Sequence, residues 1–438
     1  MIQYDCDDGR DDSSNDEIGT HARVTYSQVE NAGPAARPLE FPAPSVHPGA
    51  RITLKACEPT NGKIYLFRNV LVRISSDHRK PQLTHDAFAD VGYCIRRKLS
   101  DSVFGSVRLC VVMRRRAVAQ QERFLFRAGG GSGNGASQRS LDVIGEEDKW
   151  EDKDEENYFN LGDGDVQWEA TSELVAVKIV SWAKMRFLRG KHLEDPIKEV
   201  ASMQLLGDYH PNIISSIEVL QDEKYLYSVI PYCAGGDLYA RIIDETRISK
   251  SRESVEAQAR IWFRQIILAL DHFQRKGVCH RDLSLDNMLL HDDNVVIIDL
   301  GMCLRVPFSD HVNQNCVTDV SAGTMRRLIQ AQGQGGRWVY MAPEIAARDD
   351  QFDGFSVDIW AAGVILYIML VGRAPFKWAN EADEHFQLFA SGHLSEVLAS
   401  WEISLSDEAC DLLQNMFWRN PRRRLSLAQI MQHPWVVG

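Results

Sequence analysis

The sequence predicts an α+β chain in two unequal lobes: a small strand-rich lobe with one key helix, then a larger helical lobe. Three observations lead there. Strand-like runs fall in the first half, RLCVVM at Arg108–Met113 and LVAVKIV at Leu174–Val180, both short and rich in β-branched residues. From Asp195 the period changes. Pro196 suits a first helical turn, and Ile197, Val200, Met203 and Leu206 follow at helical spacing. Beyond Asp237 helical patterns dominate, and strands first with helices later argue for segregated lobes.

The elements follow in order. Residues 1–50 are acidic and then Pro/Ala-rich, and are expected to be disordered. Residues 51–92 hold two alternating runs, ITLKAC and KIYLFRNVLVRI, which read as short strands, either packed on the small lobe or standing as an arm. Residues 93–230 form the small lobe, interrupted at about 120–172 by a flexible insert. That insert opens with RAGGGSGNGASQRS and continues as GEEDKWEDKDEE, a run that repels itself and stays solvated. Residues 231–438 supply the hinge and the large lobe.

Composition bounds the function. The 438 residues carry a net charge of −12, which argues against nucleic acid as the main partner. Nine cysteines are scattered without a CxxC pair, as expected of free thiols in a reducing compartment. The start, MIQYDCDDGRDDSSNDE, lacks the pattern of a signal peptide. The longest apolar run, Ala361–Leu370, is short of the roughly 20 residues a bilayer requires and reads as a buried core helix. A cytoplasmic protein is expected, with the nucleus left open.

Two motifs carry chemistry. HRDLSLDN runs from His280 to Asn287, and VVIIDLG from Val295 to Gly301. An aspartate, an asparagine five residues on and a second aspartate after an apolar run resemble the layout protein kinases use for the base and metal ligands of phosphoryl transfer, which needs an oriented acceptor hydroxyl and a metal bridging the phosphates. Asp282 would take the hydroxyl proton, and Asn287 with Asp299 would hold magnesium.

Six further motifs stand in a matching order: VAVK at Val175–Lys178, HPNI at His210–Ile213, YCAGGDL at Tyr232–Leu238, YMAPEI at Tyr340–Ile345, VDIWAAG at Val357–Gly363 and HPWV at His433–Val436. From about Tyr93 to Val437 the chain thereby resembles a protein kinase, nearest the calmodulin-dependent and AMP-activated branch of the serine/threonine class. The resemblance implies the two-lobed kinase fold, ATP and magnesium. It implies that Lys178, positioned by Glu199, contacts the phosphates, with Glu194 the alternative partner. The loop LSDSVFGSV would cover the phosphates through Leu99, Phe104, Gly105 and Val107. Ile230 would back the adenine pocket, Tyr232 and Cys233 would border the base, Ala176 and Leu289 would sandwich it, and Asp237 would reach the ribose. Glu344 with Arg424, and Asp358 beneath the HRD backbone, resemble structural anchors of the family.

The chain also departs from the family pattern. Serines at Ser100 and Ser102 replace glycines of the phosphate loop, from which weaker ATP binding is expected. Ser284 stands where a lysine is usual, and Arg337, where threonine is usual, is a candidate substitute. Leu300 replaces the common phenylalanine of the metal-binding turn. In the long segment from Asp299 to Glu344, Thr318, Ser321 and Thr324 are candidate phosphorylation sites for an upstream activating kinase, with Arg281 as the phosphate's partner. The rival is ordering by docking of Met325–Ile329 on the large lobe. The chain stops just after HPWV, so no calmodulin-binding tail is expected. The function implied is transfer of the γ-phosphate of MgATP to serine or threonine on protein substrates. The alternative is a pseudokinase scaffold that holds ATP or partners with little turnover.

Overall fold

Alternation in the first two predicted strands places their apolar residues on one face, and that face builds the small lobe. The computed structural model describes residues 35–58, 60, 62–74, 90–117, 143–144, 166–207, 210–247, 251–308 and 326–438. Strands β1 (His47–Cys57) and β2 (Ile64–Arg73) pair antiparallel, followed by β3 (Val91–Ser102), β4 (Gly105–Ala117), β5 (Val143–Ile144) and β6 (Val166–Ser181). Helices α1 (Trp182–Leu188) and α2 (Pro196–Leu206) precede β7 (Glu218–Gln221) and β8 (Tyr225–Pro231). All eight strands join one sheet in the order β1-β7-β8-β6-β4-β3-β2-β5. An extra β1–β2 pairing returns the neighbours to their start, so seven of them form a closed ring. Closure removes the exposed edges that an open sheet would offer for mispairing.

Two cores fill this lobe beside the main one. Tyr93, Ile95, Cys110, Val177 and Val229 belong to one. The other lies where the β1–β2 hairpin meets β3, β4 and β6, and contains Ile52, Phe67, Val70, Met113 and Trp168. Strands β1 and β2 are thus part of the small-lobe sheet.

Two expected boundaries are corrected. The insert expected to reach residue 172 ends earlier, since β6 starts at Val166 and pairs with β4 from Ala117↔Val166 onward. Burial of Trp168 and Ala170 against the hairpin accounts for this strand. The disorder expected for residues 1–50 does not extend over 35–50. Ala36 pairs with Ile329, Leu39 with Arg305, and β1 begins at His47. Within the insert only β5, Val143–Ile144, is otherwise described, and it pairs with β2; the rest of both segments lies outside the described residues.

The large lobe packs around one helix. Elements α3 (Leu238–Arg247), α4 (Arg252–Arg275), β9 (Val278–Cys279), β10 (Met288–His291), β11 (Asn294–Ile297), β12 (Leu304–Arg305), β13 (Ile329–Gln330), α5 (Pro343–Ala346) and β14 (Gln351–Phe352) lead to α6 (Gly354–Val371). Helices α7 (Glu384–Ser391), α8 (Leu394–Ser400), α9 (Asp407–Met416), α10 (Leu427–Gln432) and α11 (Pro434–Val437) close the lobe. Helix α6 is apolar on every side and long enough to cross a bilayer, but almost all of it is buried inside the lobe, as a core helix should be. Its N-terminus is capped by Asp353, whose Oδ1 accepts from Phe355 N at 3.1 Å.

Phe67 is 1% exposed at the centre of the hairpin core. Phe67→Ala should therefore cost about 3–5 kcal/mol of stability, read by urea unfolding of the whole chain. A loss under about 1 kcal/mol would mean the hairpin does not pack on the sheet.

Candidate active site

Strand β6 and helix α2 meet at one ion pair. Lys178 lies mid-strand, opposite Val107 of β4 and Ser228 of β8. Asp195 caps α2 through Ile197 N (2.9 Å), Pro196 takes the first turn, and Glu199 follows on the buried face. Lys178 Nζ donates to both Glu199 oxygens at 2.7 Å. Glu194, the alternative partner, sits instead beside Gly301, just before the cap. Burial works against the Lys178 charge, but the Glu199 and Asp299 carboxylates outweigh it and raise its pKa.

The catalytic loop is tied down from below. Asp358 of α6, buried in the core, accepts from His280 N at 2.7 Å and Arg281 N at 2.8 Å. These bonds hold Arg281 at φ +67, a conformation rare outside glycine. Asp282 follows directly. Asn287 Nδ2 donates to its carbonyl (2.8 Å) and to Oδ2 (3.1 Å). Burial, then the Asp299 carboxylate, pushes Asp282 up to about 6, while Arg337 and the Asn287 bond pull it back. Asp299 takes the left-handed conformation, φ 61 and ψ 75, at the end of the apolar run. Ile298 N donates to Asn287 O at 2.9 Å and so links the two motifs. The following turn, Leu300–Met302, is buried, and Gly301 O accepts from Asp195 N (3.3 Å) at the start of α2.

The phosphate loop is a tight hairpin. Ser100 pairs with Val107 and Ser102 with Gly105, leaving Val103 and Phe104 at the tip. Neither serine has positive φ, so the conformational freedom of glycine is not required there. Gly105 is different: a Cβ on it would meet Ile179 O at 1.8 Å. Phe104 is buried in the main core and Leu99 is partly buried on β3. The Ser102 Oγ atom is buried with no hydrogen-bond partner among the described residues. Ala176 of β6 pairs with Ile230 of the neighbouring β8, and Leu289 bridges to Asp237. Cys233 is buried beside them, and the carbonyl of Tyr232 bonds His291 Nδ1 at 3.2 Å. Asp237 Oδ1 accepts from Ala240 N at 2.7 Å at the start of α3.

The activation segment returns to the same loop. Arg337 Nη1 donates to Ser284 Oγ at 2.8 Å, and its Nε stands 3.2 Å from Asp286 Oδ2. Arg326 forms a bidentate pair with Asp353, and Ile329 is buried in β13 against β14. Residues 326–330 therefore dock on the large lobe. Thr318, Ser321 and Thr324 lie outside the described residues. Arg281 Nη2 reaches Gly333 O at 3.3 Å. Arg424 pairs with Glu344 through bonds of 2.8 and 2.7 Å in a site closed to solvent. Sequence reasoning missed the bond from Asn287 to Asp282, which no spacing rule announces.

A protein kinase domain model matches residues 165–436, more than half of the chain. The chain belongs to the protein kinase family. The match begins after the insert, so the phosphate loop precedes it and is joined to it in space by the β4–β6 pairing. CBL-interacting serine/threonine-protein kinase 15 of Arabidopsis thaliana is 32% identical over 266 residues, covering 60% of this chain and 55% of that protein. Serine/threonine-protein kinase SAPK2 of Oryza sativa subsp. indica is 32% identical over 269 residues, 61% of this chain and 70% of that one. The human serine/threonine-protein kinase DCLK3 is 30% identical over 289 residues, 63% of this chain and 39% of that protein. The chain spans about half the length of the CBL-interacting relatives it matches. These relatives put the kinase domain in the eukaryotic serine/threonine class.

The anchoring of the catalytic loop is testable. Asp358→Ala leaves the buried His280 N–H and the half-buried Arg281 N–H without their acceptor, the buried one costing about 1–3 kcal/mol. Thermal unfolding should show the loss, and turnover should fall with it because Asp282 rides on that backbone. A variant with wild-type melting and turnover would show that Asp358 does not hold the loop.

Proposed function

We propose that the protein transfers the γ-phosphate of ATP to serine or threonine hydroxyls of protein substrates. The observation that carries this reading is the joining of Asp282 to Asn287, with Asp299 and the Lys178–Glu199 pair lining the same cleft. The residues suit magnesium. Asn287 spends its amide nitrogen on Asp282 and keeps its oxygen available, and Asp299 adds a carboxylate. Among the described residues no cluster of three or more His, Cys, Asp or Glu could enclose a metal. Two protein ligands with phosphate oxygens completing the shell is the usual magnesium arrangement. When bound, the metal neutralises phosphate charge.

This chain's residues do the rest. Lys178, held charged, contacts the non-transferring phosphates. Asp282 orients the acceptor hydroxyl and receives its proton as the new P–O bond forms and ADP leaves. The Ala176, Ile230 and Leu289 side chains form the adenine slot, and the second Asp237 oxygen remains for ribose. A reducing, cytoplasmic setting suits the seven free thiols among the described residues.

Radiolabelled transfer to mixed basic and acidic proteins, with and without magnesium, tests the reading. Asp282→Asn should abolish transfer and leave nucleotide binding largely intact. Asp299→Asn should weaken both, and chelation of magnesium should mimic it. Near wild-type turnover in Asp282→Asn would remove Asp282 as the base. ATP binding without any transfer in the unaltered protein would favour a pseudokinase.

A further inference from the structure

We propose that Arg337 supplies the positive charge facing the phosphoryl group in flight, a charge carried by the activation segment instead of the catalytic loop. The inference rests on the kinase reading and deepens it. Phosphoryl transfer spreads negative charge over the equatorial oxygens, and a preorganised cation at that point stabilises it. Lys178 is committed to Glu199 on the small-lobe side. On the other side Ser284 is wholly buried and offers only a neutral hydroxyl. That hydroxyl fixes Arg337 through the 2.8 Å bond to Nη1, and Asp286 holds Nε at 3.2 Å. A guanidinium has five N–H donors, so others remain for phosphate oxygens. The backbone brings it close. Gly336, at φ +90, passes so near the base that a Cβ there would lie 2.9 Å from Asp282 Oδ1. The Arg337 side chain is 47% exposed and thus open to an incoming nucleotide.

The test compares Arg337→Met, Arg337→Lys and the exchange Ser284→Lys/Arg337→Thr, each with melting temperature as a fold control. Arg337→Met should lower kcat about a hundredfold and change the KM for ATP much less. Calorimetric titration should show its preference for MgATP over MgADP falling about tenfold, because only ATP carries the group Arg337 touches. Arg337→Lys should retain part of both properties, and the exchange should recover about tenfold in kcat. If Arg337→Met keeps kcat and the ATP preference within about twofold, the proposal is overturned. Should transfer vanish in Asp282→Asn yet persist in Arg337→Met, the kinase reading stands and the role of Arg337 falls.

A separate observation concerns residues 35–46, which form no helix or long strand and yet touch both α2 and the segment after Asp299. Ala36 N donates to Leu328 O (2.9 Å), Gln330 N to Ala36 O (3.0 Å) and Leu39 N to Arg305 O (3.0 Å). The Arg305 guanidinium donates to Glu40 O. Farther on, Ser45 N donates to Gln204 Oε1 (2.7 Å) and Gln204 Nε2 to Ser45 O (2.9 Å). Gln204 lies on α2, the helix of Glu199, while Arg305 and Ile329 flank the central part of the activation segment. Phe41 and Val46 pack against the main core between these points. The geometry points to a brace in cis: the arm joins α2 to the activation segment and favours the state in which Lys178 meets Glu199.

In the full-length chain, Ala36→Pro/Leu39→Pro removes two backbone donors without touching the site. Hydrogen exchange of α2 and of residues 326–330 should speed up, and kcat should fall about tenfold, the scale of an ordinary coupling between sites. A peptide spanning residues 35–47, added in trans, should restore part of both. Unchanged exchange and unchanged kcat in the double variant would overturn the brace.

Discussion

Everything in the cleft depends on one ion pair across two elements. Lys178 belongs to a strand and Glu199 to a helix, and their 2.7 Å contacts exist only while α2 lies against the sheet. A buried pair of this kind is weak evidence for stability, because desolvation takes back much of the attraction. Its value is positional. Breaking it would leave a charge stranded in a poorly solvated place, so the helix position is sharply defined. Three neighbours support that position: the Asp195 cap, the buried Leu300 turn beneath the helix, and the Ser45–Gln204 pair of bonds from the arm.

The large lobe solves the matching problem for Asp282. Helix α6, apolar on all sides, offers one ionisable group to the loop above it, and Asp358 spends both oxygens on consecutive backbone N–H groups. Burial raises its carboxyl to about 7 against the pull of those bonds. The Arg424–Glu344 pair then fixes the far end of the activation segment to the same lobe. Asp282, Asn287, Asp299 and the segment are thereby referred to one core, the fixed geometry that the proposed phosphoryl transfer requires.

Much of this was legible in the sequence, for a physical reason. Asp282, Asn287 and Asp299 sit in runs of short, fixed spacing, Lys178 and Glu199 sit on elements with clear periodicity, and the structure brings the five together. Long-range features were not legible. The arm at residues 35–46 is held mainly by backbone bonds, which leave no mark on residue type, and its partners lie far along the chain. The start of β6 was hidden because its alternation adjoins an acidic run. Ser100 and Ser102 bear on the loop in another way. Glycine in such a loop suggests unusual dihedrals, whereas this hairpin stays extended to its tip and accommodates serine. The Ser284 and Arg337 departures, read together as a change of charge, do meet in space at 2.8 Å.

The most direct measurement is a crystal structure with magnesium and a non-hydrolysable ATP analogue. The account predicts phosphates against Lys178 with its Glu199 contact intact, and metal on the Asn287 oxygen and Asp299. A nucleotide bound with Lys178 apart from Glu199, or a metal held without Asp299, would contradict it.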